Sequence, residues 1–137
     1  MKKRTPVSKI MTKDPISVNV TNDVSDVVQI FKERNIHHIP VVSGNQLIGM
    51  ISKTDIDRIS FVTDASGDHA NTAVYNMVSL EQVMTKQVDT VQADDQIRDA
   101  AELFARGKYH ALPVMEDDKL AGIVTTTDVI NYLLEQY

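Results

Sequence analysis

Residues 11–59 of this chain recur, without a gap, 73 positions further on. Met11-Thr12-Lys13 returns as Met84-Thr85-Lys86, Phe31 as Phe104, His37 as His110 and Pro40-Val41 as Pro113-Val114. Leu47, Gly49 and Thr54-Asp55 likewise match Leu120, Gly122 and Thr127-Asp128. Thirteen of those 49 positions are identical, against about three expected from ordinary composition, so the chain is a duplicated unit. One copy, at roughly 60 residues, buries too small a share of its surface to be comfortably stable alone. Two copies can share a core, pack about a pseudo-twofold axis and build two related clefts.

Each copy reads in the same order. A short apolar piece (Val7 to Met11; Leu80 to Met84) precedes a β-like segment at Ile16–Val20 or Val88–Val91. Val24, Val27, Val28 and Phe31 then fall on one helical face, and Ile97, Ala100, Ala101 and Phe104 repeat that spacing. Thr21-Asn22-Asp23 and Asp94-Asp95 supply polar residues suited to start the two helices. A hairpin follows: Ile39–Val42, a turn at Ser43-Gly44-Asn45, then Leu47–Ile51, with Leu112–Met115, Glu116-Asp117-Asp118 and Leu120–Val124 in the second copy. Pro40 and Pro113 sit inside the first hairpin strand, where proline is tolerated mainly at an edge or at the strand's first residues, and their equal placement in both copies points to a built geometry. A last helix starts near Thr54 and near Thr127. The expected fold is therefore α+β, two β-α-β-β-α repeats at 1–61 and 79–137, joined by a polar connector at 62–78.

Composition narrows the function classes. There is no cysteine, which removes disulfides and thiolate metal sites and suits a cytoplasmic protein. A net charge of −5 argues against a nucleic-acid partner. Met1-Lys2-Lys3-Arg4 is not followed by the apolar stretch of a signal peptide, and no apolar run has the length of a membrane span. His37 and His38 are neighbours on a strand and point to opposite sides, while His69 and His110 lie elsewhere, so no metal site is expected. No nucleophile elbow, P-loop or GxGxxG is present, and the chain reads as non-catalytic.

The residues that point to chemistry are the two tails Gly49-Met50-Ile51-Ser52-Lys53-Thr54-Asp55 and Gly122-Ile123-Val124-Thr125-Thr126-Thr127-Asp128. Ser52-x-x-Asp55 and Thr125-x-x-Asp128 fit helix capping boxes, which need no ligand. A helix start with a hydroxyl also suits an anionic phosphate, and an ionised carboxylate can accept both hydroxyls of a ribose.

Duplication, Pro-Val strand and Gly-x-x-[Ser/Thr]-x-x-Asp tail together resemble a tandem pair of cystathionine-β-synthase (CBS) domains, a Bateman module. The resemblance covers nearly the whole chain. It implies adenosyl ligands (AMP, ADP, ATP, S-adenosylmethionine or a cyclic dinucleotide), with the aspartate on the ribose and the hydroxyl near ribose or phosphate. It also implies that the base lies against the other repeat. One cleft would combine Thr125 and Asp128 with Pro15, Ile16, His38 and Pro40; the other would combine Ser52 and Asp55 with Val88, Tyr109, Ala111 and Pro113. The copies differ at His38/Ala111, Ile36/Tyr109 and Lys53/Thr126, where Lys53 would favour a more anionic ligand. His37 and His110 are expected as cleft-edge or packing residues. The implied function is regulatory: an adenine nucleotide binds as effector with no cofactor required, and the module signals to a partner protein as a homodimer formed through its helices. The stripe Val24, Val27, Val28 and Phe31 and its copy would supply either that interface or the contact between the repeats. A ligand-free module that dimerises or docks on an enzyme or transporter is the alternative.

Overall fold

A computed structural model describes residues 4–64 and 77–137; residues 65–76 of the expected connector, with His69, lie outside the described residues. The chain forms two compact units whose boundaries cut across the repeats. One comprises Met1–Pro15 and Val88–Tyr137, the other Ile16–Gln87. Each unit thus contains the body of one repeat and the opening segment of the other.

In the unit Ile16–Gln87, a three-stranded sheet has the order β2 (Val18–Asn19), β3 (His38–Ser43), β4 (Gln46–Ser52). β2 runs parallel to β3, and β3 antiparallel to β4. Helix α1 (Val24–Glu33) connects β2 to β3, α2 (Lys53–Asp64) continues from β4, and the short α3 (Leu80–Val83) comes from the second repeat. The other unit repeats this plan: β5 (Val91–Gln92), α4 (Ile97–Ala105), β6 (Ala111–Glu116), β7 (Lys119–Thr125) and α5 (Thr126–Glu135). Here β1 (Thr12–Lys13), from the first repeat, adds a fourth strand beside β7.

The helical stripe belongs to the core of its own unit. Val24, Val27 and Phe31 are buried with Ile39, Val41 and Ile51, and Val28 packs against them. In the second copy Ala100 is buried with Leu112, Val114 and Val124, and Phe104 packs against that cluster. Side chains committed to a core cannot also form a dimer interface, so the stripe is not the helical surface through which two copies would meet. Both helices start alike: the Asp26 carboxylate accepts from the Asp23 N–H at 3.0 Å, and that of Asp99 from Gln96 at 2.9 Å. The second helix is therefore capped at Gln96, one residue beyond the expected Asp94-Asp95. Asp95 instead accepts from the Gln92 N–H, as Asn22 does from Asn19.

The hairpins turn in two residues. Asp117 and Asp118 both have positive φ, 54° and 62°, which is the backbone of a type I′ turn and follows the right-handed twist of the strands. The prolines need a different account from an edge strand, because β3 and β6 are central. Pro40 stands opposite Met50 in β4, yet the Met50 N–H and C=O both bond Thr85 on its far side. β2 begins only opposite Val41. The amide hydrogen that proline lacks thus has no ladder position to fill. Pro113 keeps the same register opposite Ile123.

The opening segments are exchanged in strict register. Thr12 pairs with Ile123, and 73 residues on, Thr85 pairs with Met50 through bonds of 3.0 and 2.8 Å. Pro6 bridges Gln96, and correspondingly Ser79 bridges Asp23. Val7 and Leu80, equivalent positions, are fully buried in the unit that receives them; each such burial contributes about 1.5–3 kcal/mol. Glycine makes the approach possible. A Cβ on Gly122 would lie 2.7 Å from the Thr12 carbonyl oxygen and 2.6 Å from the Met11 sulfur. On Gly49 it would lie 2.8 Å from the Thr85 oxygen and 2.7 Å from the Met84 sulfur. A methionine tip can swing aside; a paired backbone carbonyl cannot. Gly49→Ala and Gly122→Ala are each expected to destabilise the protein by about 1–3 kcal/mol, the usual cost of overpacking. Urea unfolding measures this, and a loss under about 0.5 kcal/mol in both variants would show that the approach is not tight.

Candidate functional site

In both copies the second hairpin strand runs directly into the last helix, so the strand's final residue is the helix cap. Ser52 ends β4, and its Oγ accepts from the Asp55 N–H at 3.1 Å while Asp55 Oδ2 accepts from the Ser52 N–H at 2.8 Å. Thr125 and Asp128 form the same reciprocal pair at 3.1 and 2.8 Å. The first helical amide, on Lys53 or Thr126, donates to the carbonyl of His37 or His110 at 2.9 or 3.0 Å. Of the four amides that a helix start leaves open, three are taken by these bonds; that of Thr54 or Thr127 remains. One carboxylate oxygen in each tail is committed to the cap, leaving Oδ1 for other acceptor work.

The expected site residues divide between the two units. Ile16, His38, Pro40, Ser52 and Asp55 belong to one; Pro15, Val88, Tyr109, Ala111, Pro113, Thr125 and Asp128 to the other. Within a unit the strand register sets His38 opposite Ser52 and Ala111 opposite Thr125. Each tail therefore stands at the end of the sheet where its own Pro-Val strand begins. Pro40, Pro113 and Ala111 are buried, whereas His38, Tyr109, Val88, Pro15 and Ile16 are half-buried. The equivalence of His37 and His110 lies in their carbonyls, because both side chains are exposed and neither packs. Among the described residues, no group of three or more His, Asp or Glu could hold a metal ion.

The two copies diverge at positions the repeat comparison could have found. Arg58 Nη1 lies 3.7 Å from Asp55 Oδ1, and its counterpart 73 residues on is Asn131. Asp128 has no ion pair among the described residues and is less buried than Asp55, so its free oxygen is the more available acceptor. The second difference is Tyr109 with Asp89, which replace Ile36 and Ile16 of the first copy. Asp89 raises the Tyr109 phenol above its ordinary pKa of 10.0, first as an acceptor for the hydroxyl, with desolvation next and the nearby negative charge last. An apolar pair has become a polar one with an anionic member.

A profile of the CBS domain matches residues 7–61 and again 80–135. The chain belongs to the CBS domain family. Its solved structural relatives are CBS domain pairs. That of protein MJ0100, solved with 5′-methylthioadenosine and S-adenosyl-L-methionine, is 25% identical with a TM-score of 0.79, covering 97% of this chain and 98% of that one. CBSX2, solved with AMP, has a TM-score of 0.79 at 23% identity, over 96% of this chain and 97% of that one, and shows the shared fold. In sequence, the CBS pair is 35% identical to an uncharacterized protein of Methanocaldococcus jannaschii, over 95% of this chain and 44% of the relative. It is 32% identical to a homoserine O-acetyltransferase of Methanocorpusculum labreanum, over 88% of this chain but only 22% of the relative. The chain thus spans less than half the length of these two relatives. Among the described residues of this CBS pair, no helix is long and apolar enough to cross a membrane.

Two measurements check the site's physical chemistry. Absorbance titration should find one tyrosine deprotonating above pH 10, and Asp89→Asn should bring it down by removing the charged acceptor. Below the raised pKa the phenol O–H holds the carboxylate; the bond disappears as pH rises through it. An unchanged titration in the variant would show that the pair does not form. Separately, Thr125→Val and Ser52→Ala should each cost about 1 kcal/mol of stability through loss of the cap, measured by urea unfolding; costs near zero would mean that the boxes do not cap.

Proposed function

We propose that this CBS pair is a non-catalytic regulatory module that binds an adenosyl ligand (AMP, ADP, ATP or S-adenosylmethionine) and passes that state to a partner protein. The observation that carries the reading is the pair of matched tails, each presenting a fixed carboxylate and hydroxyl at a helix start. Support comes from family membership and from the MJ0100 pair, similar over nearly its whole length, which was solved with two adenosyl compounds. Asp128 is the stronger ribose acceptor, because Arg58 competes for the equivalent oxygen of Asp55. Thr125 and Asp128 are proposed with Pro15, Ile16, His38 and Pro40, and Ser52 and Asp55 with Val88, Tyr109, Ala111 and Pro113. The homoserine O-acetyltransferase relative does not argue for turnover, since this chain matches only 22% of its length. Cytoplasmic location and a homodimer belong to the same proposal.

Ligand at a hundred times its dissociation constant should stabilise the fold by about 2.7 kcal/mol, visible as a melting shift with at least one adenosyl compound. Calorimetric titration should show Asp128→Ala weakening that ligand at least tenfold. Asp128→Asn keeps an acceptor for the cap and separates lost binding from lost stability. No shift with any adenosyl compound at millimolar concentration would reject the sensor; full affinity in both Asp128 variants would reject the site.

One observation favours the ligand-free alternative. Ile130, Leu133, Leu134 and Tyr137 recur at i, i+3, i+4 and i+7 on α5 and just beyond it, and are 54%, 40%, 65% and 97% exposed. A docking module predicts no melting shift but a change in oligomeric state with Leu134→Glu.

A further inference from the structure

The exchange of opening segments has a property that sequence duplication alone does not confer. The segment that enters and the slot that receives it are each present twice, in equivalent form. The entering segment ends in Met-Thr-Lys in both copies. It carries a fully buried aliphatic residue four positions earlier, Val7 or Leu80. The slot is the outer edge of β7 or β4, opened by the missing side chain of Gly122 or Gly49. Main-chain pairing at Thr12–Ile123 and Thr85–Met50 recognises the segment without regard to its other side chains. Further bonds from the first segment, Val7 N–H to Asp95 O at 2.7 Å and Ser8 N–H to Ala93 O at 3.0 Å, anchor its helical turn to the chain just after β5, at the other edge of the sheet. Tyr132 closes its far end by donating to the Thr5 hydroxyl at 3.0 Å.

The chain passes from one unit to the other at matched points: Asp14 and Gln87, equivalent residues, both adopt positive φ of 47° and 54° immediately before or at the crossing. Neither half of the chain contains a complete unit. Residues of the first repeat lack the segment that lines β4, and those of the second lack the strand that lines β7. The two halves are bound to each other twice, by edge pairing and by burial of Val7 and Leu80, independently of the peptide that joins them.

From this we infer that segment and glycine slot form a recognition pair that works between separate chains: each repeat is a binding partner for the other, and the two halves assemble and recombine once the connection is cut. The partner that fits either slot is a segment with an aliphatic residue at the start of a short helical turn and, four positions on, a methionine followed by a threonine that pairs with the strand edge.

The test uses the full chain with a specific protease site inserted between Asp68 and His69, folded first and cleaved afterwards. The fragments should co-elute as one species of the intact size at micromolar concentration and separate only in denaturant. Because the chain has no native cysteine, cross-linking reads the pairing directly. A cleaved Thr12→Cys, Ile123→Cys chain should give a joined band on a non-reducing gel. A cleaved Thr12→Cys chain and a cleaved Ile123→Cys chain, unfolded together in denaturant and refolded as a mixture, should give the same band, through halves from different molecules. Gly122→Ala should weaken reassociation at least tenfold, whereas Lys32→Ala, at an exposed position of α1, should leave it unchanged. Fragments that separate in native buffer, or a mixture that yields no joined band while the double variant does, would overturn the inference.

Discussion

The interaction on which the rest depends is the close approach of a threonine carbonyl to a glycine on a strand edge. It occurs twice, at Thr12–Gly122 and Thr85–Gly49. Without it each sheet would end in an open edge and each core would lack one fully buried aliphatic side chain. Open edges invite pairing with other chains; here the partner is the matching segment of the sister repeat. Exchange therefore completes, within each unit, a core that one repeat of roughly 60 residues would leave short. It also explains three residue choices in each copy: the glycine, the methionine whose sulfur lies over it, and the proline opposite Met50 or Ile123, whose missing amide hydrogen costs nothing there.

The same sheet edges fix the tails. β4 and β7 lead without a loop into α2 and α5, so the capping Ser52 and Thr125 are strand residues first. Their positions follow from hairpin register, and the carboxylates of Asp55 and Asp128 follow from the helix starts. A ligand meeting these groups would find them held on both sides, by a strand and by a capping box, with little freedom left to lose on binding.

Much of this was legible in the chain. The repeat gave the order of elements, and the spacing Ser/Thr-x-x-Asp gave both caps, since a capping box is a local device with a local signature. What pattern reading missed were contacts that depend on other parts of the chain. The proline reads as an edge signal because proline lacks a donor; only the bond pattern of Met50 shows that a central strand can carry it. The stripe of α1 could have faced a second copy, and burial places it in the core. Arg58 beside Asp55 and Asp89 beside Tyr109 become visible only when side chains are set in space, although the offset of 73 marks both as differences.

Sequence alone determined that there are two copies of one β-α-β-β-α unit, where the last helix of each copy caps, and which residues carry carboxylate and hydroxyl. Those features are periodic or local, so composition and spacing encode them directly. Tertiary structure decided which segment completes which sheet. The boundary of a compact unit is set by burial and edge pairing, and those put Met1–Pro15 with Val88–Tyr137. A repeat boundary records how the chain was duplicated. A unit boundary records where its hydrogen bonds and apolar side chains are satisfied, and in this protein the two do not coincide.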